Sequence, residues 1–367
     1  MQVNNDSHRS AITVCYFGIG DPTYSRNRIF IKGLRANGVT VIECMSRLSG
    51  LQKYLDLIKK HWKLRHHYDA IMVGYPGQQS VLLARILTGK PIIFDALVSL
   101  YDSLVCDRAV ISPRSIRAYY FWLIDWLSFH LADHIIVDTN EHGTYFAKTF
   151  KIHSKKITRI FIGSDDEVVF PLPRTHHDDT FTVHFHGGFN PLQGVDVIVR
   201  AAKILERDQI SFTIIGDGQT FKEVHALAEK IGVSNVSFIN RVPYEELRVR
   251  LATADMSLGI FGSTEKAKRV IPNKVYEALA TGTPIVTADT PAIAELLTDR
   301  EQVLLSAIGD ENNLAEKIRE LKMDEGLRTR IARRGYELFT ARLTPAVLGR
   351  ELLSVIMSLI HDASRYR

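Results

Sequence analysis

The 367-residue chain is 46% hydrophobic and 24% charged, with 23 Gly and 12 Pro, a balance that excludes disorder, collagen and fibrous repeats. At roughly 100 to 200 residues per domain, this length predicts two domains, and no solenoid repeat or low-complexity tract is visible. The net charge of +5 is uneven: residues 1–170 carry 21 Lys and Arg against 15 Asp and Glu, the remainder 25 against 26. A basic first half points to an anionic partner such as a phosphorylated substrate or a lipid surface. Cys15, Cys44 and Cys106 are too few and scattered for a disulfide framework or a zinc site. The polar start at 1–10 lacks a leader pattern, and no window reads as the roughly 18 apolar residues of a spanning helix, so a cytoplasmic protein is expected.

Short β-branched apolar runs alternate with amphipathic stretches throughout, the pattern of parallel sheets covered by helices. The first predicted strand, 12–17, runs into Gly18 and Gly20, a turn that lets backbone approach a ligand, and then a helix start at Ser25-Arg26-Asn27-Arg28. Arg26 there is either a phosphate contact or a surface residue. After a strand at 40–44, Lys53, Lys59, Lys60, Lys63 and Arg65 interleave with Tyr54, Leu55, Leu57, Ile58, Trp62 and Leu64. That is a basic amphipathic helix, which suits an anionic membrane surface or a core-packed helix with a solvated face. Strands follow at 70–73 and 91–94. Beyond the latter, Asp102 and Asp107 are candidate catalytic carboxylates, with helix capping or a pair with Arg108 as the alternative. The aromatic stretch 117–127 includes Trp122 and can line an acceptor site or pack in a core. Further strands are read at 134–138 and 157–162.

Residues 171–180, rich in Pro and polar side chains, read as a linker. Beyond it, strand 181–185 leads into Gly187 and Gly188 and then to Gln193, a glycine turn at the edge where open α/β sheets bind ligands. Strands at 211–215, 236–239, 256–260 and 284–288 follow, with Gly216 after the first and Arg241 after the second. The densest signal is 265–280, EKAKRVIPNKVYEALA. Pro272 and Asn273 start a short helix carrying Glu277, and Gly282 stops it. Lys266, Lys268, Arg269 and Lys274 crowd toward that start, where cations oppose the helix dipole. A bound anion turns this liability into a site; a solvated loop with a surface pair from Lys274 to Glu277 is the alternative. The terminal stretch 344–367 reads as one helix with Leu348, Leu352, Leu353, Ile356 and Ile360 on a stripe.

The ordered motifs of the second half resemble glycosyltransferase family 4: the glycine turn with Gln193-Gly194-Val195-Asp196, then 214–218 IIGDG, 238–243 FINRVP, and 272–280 PNKVYEALA before Gly282. The first half is similar more loosely, through Gly18, 25–28 and 131–137. The resemblance implies an α/β GT-B fold, two Rossmann-like doubly wound domains facing a cleft, with the terminal helix crossing back to the first. The expected divisions are 1–170 for the acceptor, 171–180 as linker, 181–343 for the nucleotide sugar, and 344–367. It implies retaining sugar transfer from a nucleotide-diphosphate sugar without a metal or other cofactor.

Under the same resemblance, Glu277 is the ribose-binding glutamate, and the family's first glutamate falls on Arg269. The family's diphosphate-binding Arg and Lys fall on Gly188 and Gln193, so both cations are missing. The expectation is that Arg269 and Lys274 take over the phosphate charge. Donor contacts are then expected at Gly18, Gly20, Gly187, Gly188, Gln193, Gly216, Arg241, Asn273, Lys274 and Glu277. Catalytic groups are expected among Asp102, Asp107, Arg269 and Lys274, and acceptor contacts at Arg26 and Trp122. The acceptor is expected to be a glycan or lipid-linked hydroxyl, with the protein peripheral on the inner face of a membrane through 53–65. Nucleic acid is not expected, since no binding motif accompanies the charge. Alternatives are a non-catalytic sugar or nucleotide binder and a sugar-nucleotide epimerase of the same architecture. A nicotinamide dehydrogenase is disfavoured because no glycine turn completes the dinucleotide fingerprint.

Overall fold

The structure is a computed structural model describing residues 12–173 and 180–365. Part of the expected linker lies outside the described residues. Strands β1 (Thr13–Ile19), β2 (Thr40–Ser46), β3 (Ala70–Val73), β4 (Ile92–Asp95), β5 (His134–Val137) and β6 (Ile157–Arg159) form a sheet ordered β2-β1-β3-β4-β5-β6. Strands β7 (Phe181–His186), β8 (Ile210–Ile215), β9 (Val236–Ile239), β10 (Met256–Leu258), β11 (Ile285–Ala288) and β12 (Leu304–Ser306) form a second, ordered β12-β11-β10-β7-β8-β9. Neighbours pair in parallel, and β3, β4 and β11 are buried at every position. Helices on both faces leave these strands no solvent side, which is why they read as unbroken apolar runs.

Eleven strands fall where the sequence placed them, and β12 is an addition. Gly18 lies inside β1, paired with Met45, so the turn begins later than expected, at Gly20, whose φ is 134°. Both orders are doubly wound. The strand order reverses between β1 and β3 in one sheet and between β7 and β10 in the other, and ligands of such sheets bind at the carboxyl edge of that reversal.

Contacts divide the chain into two compact units that differ from the boundaries read in the sequence. One comprises Met1–Leu97, Trp126–Ile136 and Pro345–Arg367 over their described residues; the other comprises Val98–Asp125 and Val137–Thr344. The first half therefore gives up 98–125 and 137–170 to the second unit, the former tied there by side-chain bonds described below. The terminal helix Pro345–Arg365 joins the first unit by packing on helix Ser25–Ala36. Leu348, Leu352 and Ile356 are buried in that packing. Gly33 faces Gly349, and a Cβ on either would overlap the backbone of the other helix. Asn37 adds a bond from its amide to the Ala346 carbonyl, 2.8 Å.

One expectation needs correction. An 18-residue window within 325–365 has mean hydropathy 1.5, apolar enough by length and composition to cross a membrane, with 33% of it buried. Leu348, Leu352 and Ile356, buried against helix Ser25–Ala36, lie within this stretch.

Candidate active site at the second switch point

β7 and β10 lie side by side, Val183 opposite Met256. The loops that leave their carboxyl ends are joined: the Phe261 amide donates to the Gln193 carbonyl (3.0 Å) and the Gly262 amide to that of Leu192 (3.2 Å). From this junction the chain passes through a short 3-10 turn, Ala267–Arg269, into helix Asn273–Thr281. The helix begins after Pro272 in extended backbone, with no side chain capping its first amides, and ends at Gly282 with φ 62°. These are the start and stop signals read from sequence. Every residue from Lys274 to Thr281 is buried, which excludes the solvated-loop reading.

Lys274 is 4% exposed. Its Nζ donates to Gln193 Oε1, lies 3.6 Å from the centre of the Phe185 ring, and occupies the space beside Gly187. A Cβ at Gly187, where φ is 149°, would come within 2.8 Å of that nitrogen. Lysine and glycine turn thus define one point, and the turn contributes no cation of its own, since Gly187, Gly188, Asn190 and Gln193 are neutral. Burial, working against the pull of Glu277, holds the Lys274 amine well below the ordinary lysine range.

Glu277, one helical turn later, is also buried. Its Oε2 lies 2.7 Å from His186 Nε2, and its Oε1 accepts from the Tyr244 hydroxyl at 2.8 Å. His184 Nε2 continues the chain 3.0 Å from His186 Nδ1. Burial alone would raise the Glu277 carboxyl; the bonds from His186 and Tyr244, with the nearby His186 and Lys274 charges, bring it below the usual carboxylate range. His184 is the reverse case. Burial, reinforced by His186 and Lys274, holds it well below the ordinary histidine value. The site residues that sequence reasoning missed are these partners, His184, His186 and Tyr244. The alternation of β7, which puts 184 and 186 on one face, was the available signal for the two histidines.

The remaining cations do not converge on the helix start. Arg269 Nη2 donates to Asp102 Oδ1 at 2.7 Å, and its guanidinium lies 3.9 Å from the centre of the Tyr145 ring. Lys266 donates to Ser103 Oγ at 2.6 Å, and Lys268 pairs with Glu265 at the surface. Asp102 and Asp107 bracket a short π-helical segment, Asp102–Asp107, and both are buried. Asp107 accepts from Thr264 Oγ1 at 2.9 Å, and burial, opposed by Lys266, raises its carboxyl above the usual range. Neither takes the expected alternative of pairing with Arg108. Asp102 Oδ2, Asp107 Oδ2 and Arg269 Nε are buried with no hydrogen-bond partner.

Arg26 is a correction. It is fully buried, with Nε donating to both Asp95 oxygens (3.2 and 3.1 Å) and Nη2 to Oδ1 (3.1 Å), and it stacks on Phe30. It is a core residue of the first unit rather than an acceptor contact. Trp122 is half-buried between Tyr119 and Phe150. Arg241 is exposed and pairs with Asp217 at 2.6 Å. Gly216 has φ 140° and sits against the Gly187 carbonyl; Gly188 and Asn273 are half-buried at the turn and the helix start. A cavity of about 590 Å³, in the range of small-molecule sites, includes Asn190, Pro191, Asp196, Arg200, Glu223 and Thr264 in its lining. Among the described residues no group of three or more His, Cys, Asp or Glu is arranged to hold a metal ion.

Residues 173–338 match the family model described as Glycosyl transferases group 1. An uncharacterized glycosyltransferase of Methanocaldococcus jannaschii is 24% identical over 230 residues, 58% of this chain and 62% of that protein. The lipopolysaccharide core biosynthesis glycosyltransferase LpsE of Rhizobium meliloti is 26% identical over 176 residues, 47% of this chain and 48% of that protein. The match thus spans about half to three-fifths of these relatives' length. In structure, HepE of Anabaena in complex with UDP-glucose superposes with a TM-score of 0.70 at 15% identity, covering 95% of this chain and 100% of that one. These findings meet in a chain of GT-B fold whose residues 173–338 match the group 1 glycosyl transferases.

Proposed function

We propose that the protein is a retaining glycosyltransferase of the family 4 kind. It would move a sugar from a nucleotide-diphosphate sugar to a hydroxyl of a glycan or lipid-linked acceptor, in the cytoplasm and without a metal. The observation that carries the reading is Lys274: a buried amine at the glycine turn of the switch point, whose hydrogen-bond acceptor is a neutral amide. A diphosphate there supplies the missing negative charge, and the uncapped amides of helix Asn273–Thr281 add favourable dipoles. Glu277, ionised and held by His186, accepts ribose hydroxyls in exchange for Tyr244. The likeness to HepE with UDP-glucose and to an enzyme of lipopolysaccharide core synthesis supports donor and acceptor class.

Arg269 has two anionic partners in this reading, Asp102 as in this structure and the diphosphate once the donor is bound. Moving to phosphate frees Asp102 to accept the acceptor's proton as the acceptor oxygen bonds the anomeric carbon and the carbon–oxygen bond to the phosphate breaks. Lys274 and Arg269 then stabilise the departing diphosphate, the step at which fixed positive charge accelerates transfer most. The test is thermal unfolding against a panel of nucleotides and sugar nucleotides, with and without EDTA, followed by product analysis with glycan and glycolipid acceptors. Stabilisation by one diphosphate nucleotide, indifferent to EDTA, and a glycosylated product are expected. Binding without turnover would instead mark a non-catalytic binder. Conversion of the sugar nucleotide with no acceptor present would mark an epimerase.

A further inference from the structure

Helix Gln52–Leu64 of the first unit carries two apolar faces, and one is uncovered. On the packed face Leu57 and His61 are buried, the latter 2.6 Å from the Tyr68 hydroxyl. On the other, Leu51, Leu55, Ile58 and Trp62 follow at spacings of four, three and four and are 79%, 67%, 37% and 63% exposed; Leu48, 50% exposed, extends the row into the preceding loop. That spacing keeps them on one stripe of the helix. Single exposed apolar side chains are ordinary, but five in one row are not. Cations frame the row. Lys59, Lys63 and Arg65 are exposed, and Arg65 lies 4.2 Å from the centre of the Trp62 ring. Lys60 is already matched by Asp56, the one acid in the stretch.

We propose that this face docks on an anionic lipid surface. Leu51, Leu55 and Trp62 enter the boundary between headgroups and acyl chains, and Lys59, Lys63 and Arg65 meet the phosphates. Charge selects the occupant. A second copy of this chain, meeting the face through a two-fold axis, would bring the same cations against each other, whereas an anionic leaflet complements both row and frame. An indole beside a guanidinium is also the pairing that settles at the interface. The inference uses none of the residues of the donor site and stands or falls separately from it.

The experiment is co-sedimentation of the full chain with phosphatidylcholine vesicles with and without phosphatidylglycerol, alongside sedimentation velocity without lipid. The wild type is expected to bind the phosphatidylglycerol vesicles, less at high salt, and to be excluded from pure phosphatidylcholine. Replacing Leu51, Leu55 and Trp62 together by Ser should weaken binding roughly tenfold or more. Replacing Lys59, Lys63 and Arg65 by Glu should weaken it on the order of a hundredfold. Every replaced side chain is exposed or half-buried on the helix surface, so unchanged unfolding midpoints are the control for folding. No binding to phosphatidylglycerol vesicles, or binding that neither variant alters, overturns the proposal. So does a lipid-free dimer that the serine variant dissolves, which would assign the face to a second copy.

Discussion

Each unit buries a cation at the carboxyl edge of its sheet, and the two are handled in opposite ways. In the first, Arg26 is met by a full carboxylate, Asp95, in a forked pair, so charge and geometry are satisfied within the chain. In the second, Lys274 is met by the amide oxygen of Gln193, while the nearby carboxylate of Glu277 is taken up by His186 and Tyr244. Arg26, fully buried with its anion in a forked pair from the same chain, is a structural element. A buried cation offered only a neutral acceptor retains the capacity to bind an anion, and desolvation makes that capacity stronger than on the surface.

The contrast can be broken from either side. Asp95→Ala leaves Arg26 buried without its carboxylate and should cost about 3–5 kcal/mol in urea unfolding; a loss under 1 kcal/mol would show that the pair is not what holds the edge. Gly349→Leu forces the terminal helix off Gly33 and should cost about 1–3 kcal/mol or more, read in the same way. Lys274→Met removes a buried charge with no anionic partner bonded to it, so stability should hold or rise. Affinity for a nucleoside diphosphate should meanwhile fall by about 10- to 150-fold, the range of one charge-assisted bond.

The unfolded chain keeps the Lys274 proton up to about pH 10.4, and the folded chain releases it at lower pH because burial disfavours the charge. Between those two values the unfolded state binds more protons, so the stability of the empty protein should rise with pH. Diphosphate affinity should move the other way, since the bound state holds the ammonium. Unfolding midpoints and calorimetric affinities measured across that window check both signs, and Lys274→Met should flatten both slopes. Smallest of all, Arg241→Ala at an exposed pair should change stability by less than about 1 kcal/mol.

Much of the fold was legible because its signals are local. The helix Asn273–Thr281 announces itself by Pro272 and Gly282, and strands such as Ala70–Val73 by unbroken apolar runs. β12 escaped because three residues, Leu304–Ser306, give no period to read. The site was legible in its charges but not in its pairings. Arg26 looked like any helix-start arginine until Asp95, 69 positions away, was placed against it, and His186 stands 91 positions from Glu277. Arg269 and Lys274 looked equivalent in sequence. The fold separates them by giving Asp102 to one and an amide to the other.

Calorimetric titration of a nucleoside diphosphate into the wild type and Lys274→Met, in two buffers of different ionisation heat, reads out whether the diphosphate binds at Lys274. At a pH between the release of the Lys274 proton in the folded protein and its release in the unfolded chain, the expected result is binding by the wild type with uptake of protons, and a loss of both affinity and proton uptake in the variant. Equal affinity and equal proton uptake in the two proteins would contradict it and place the diphosphate, if it binds, away from Lys274.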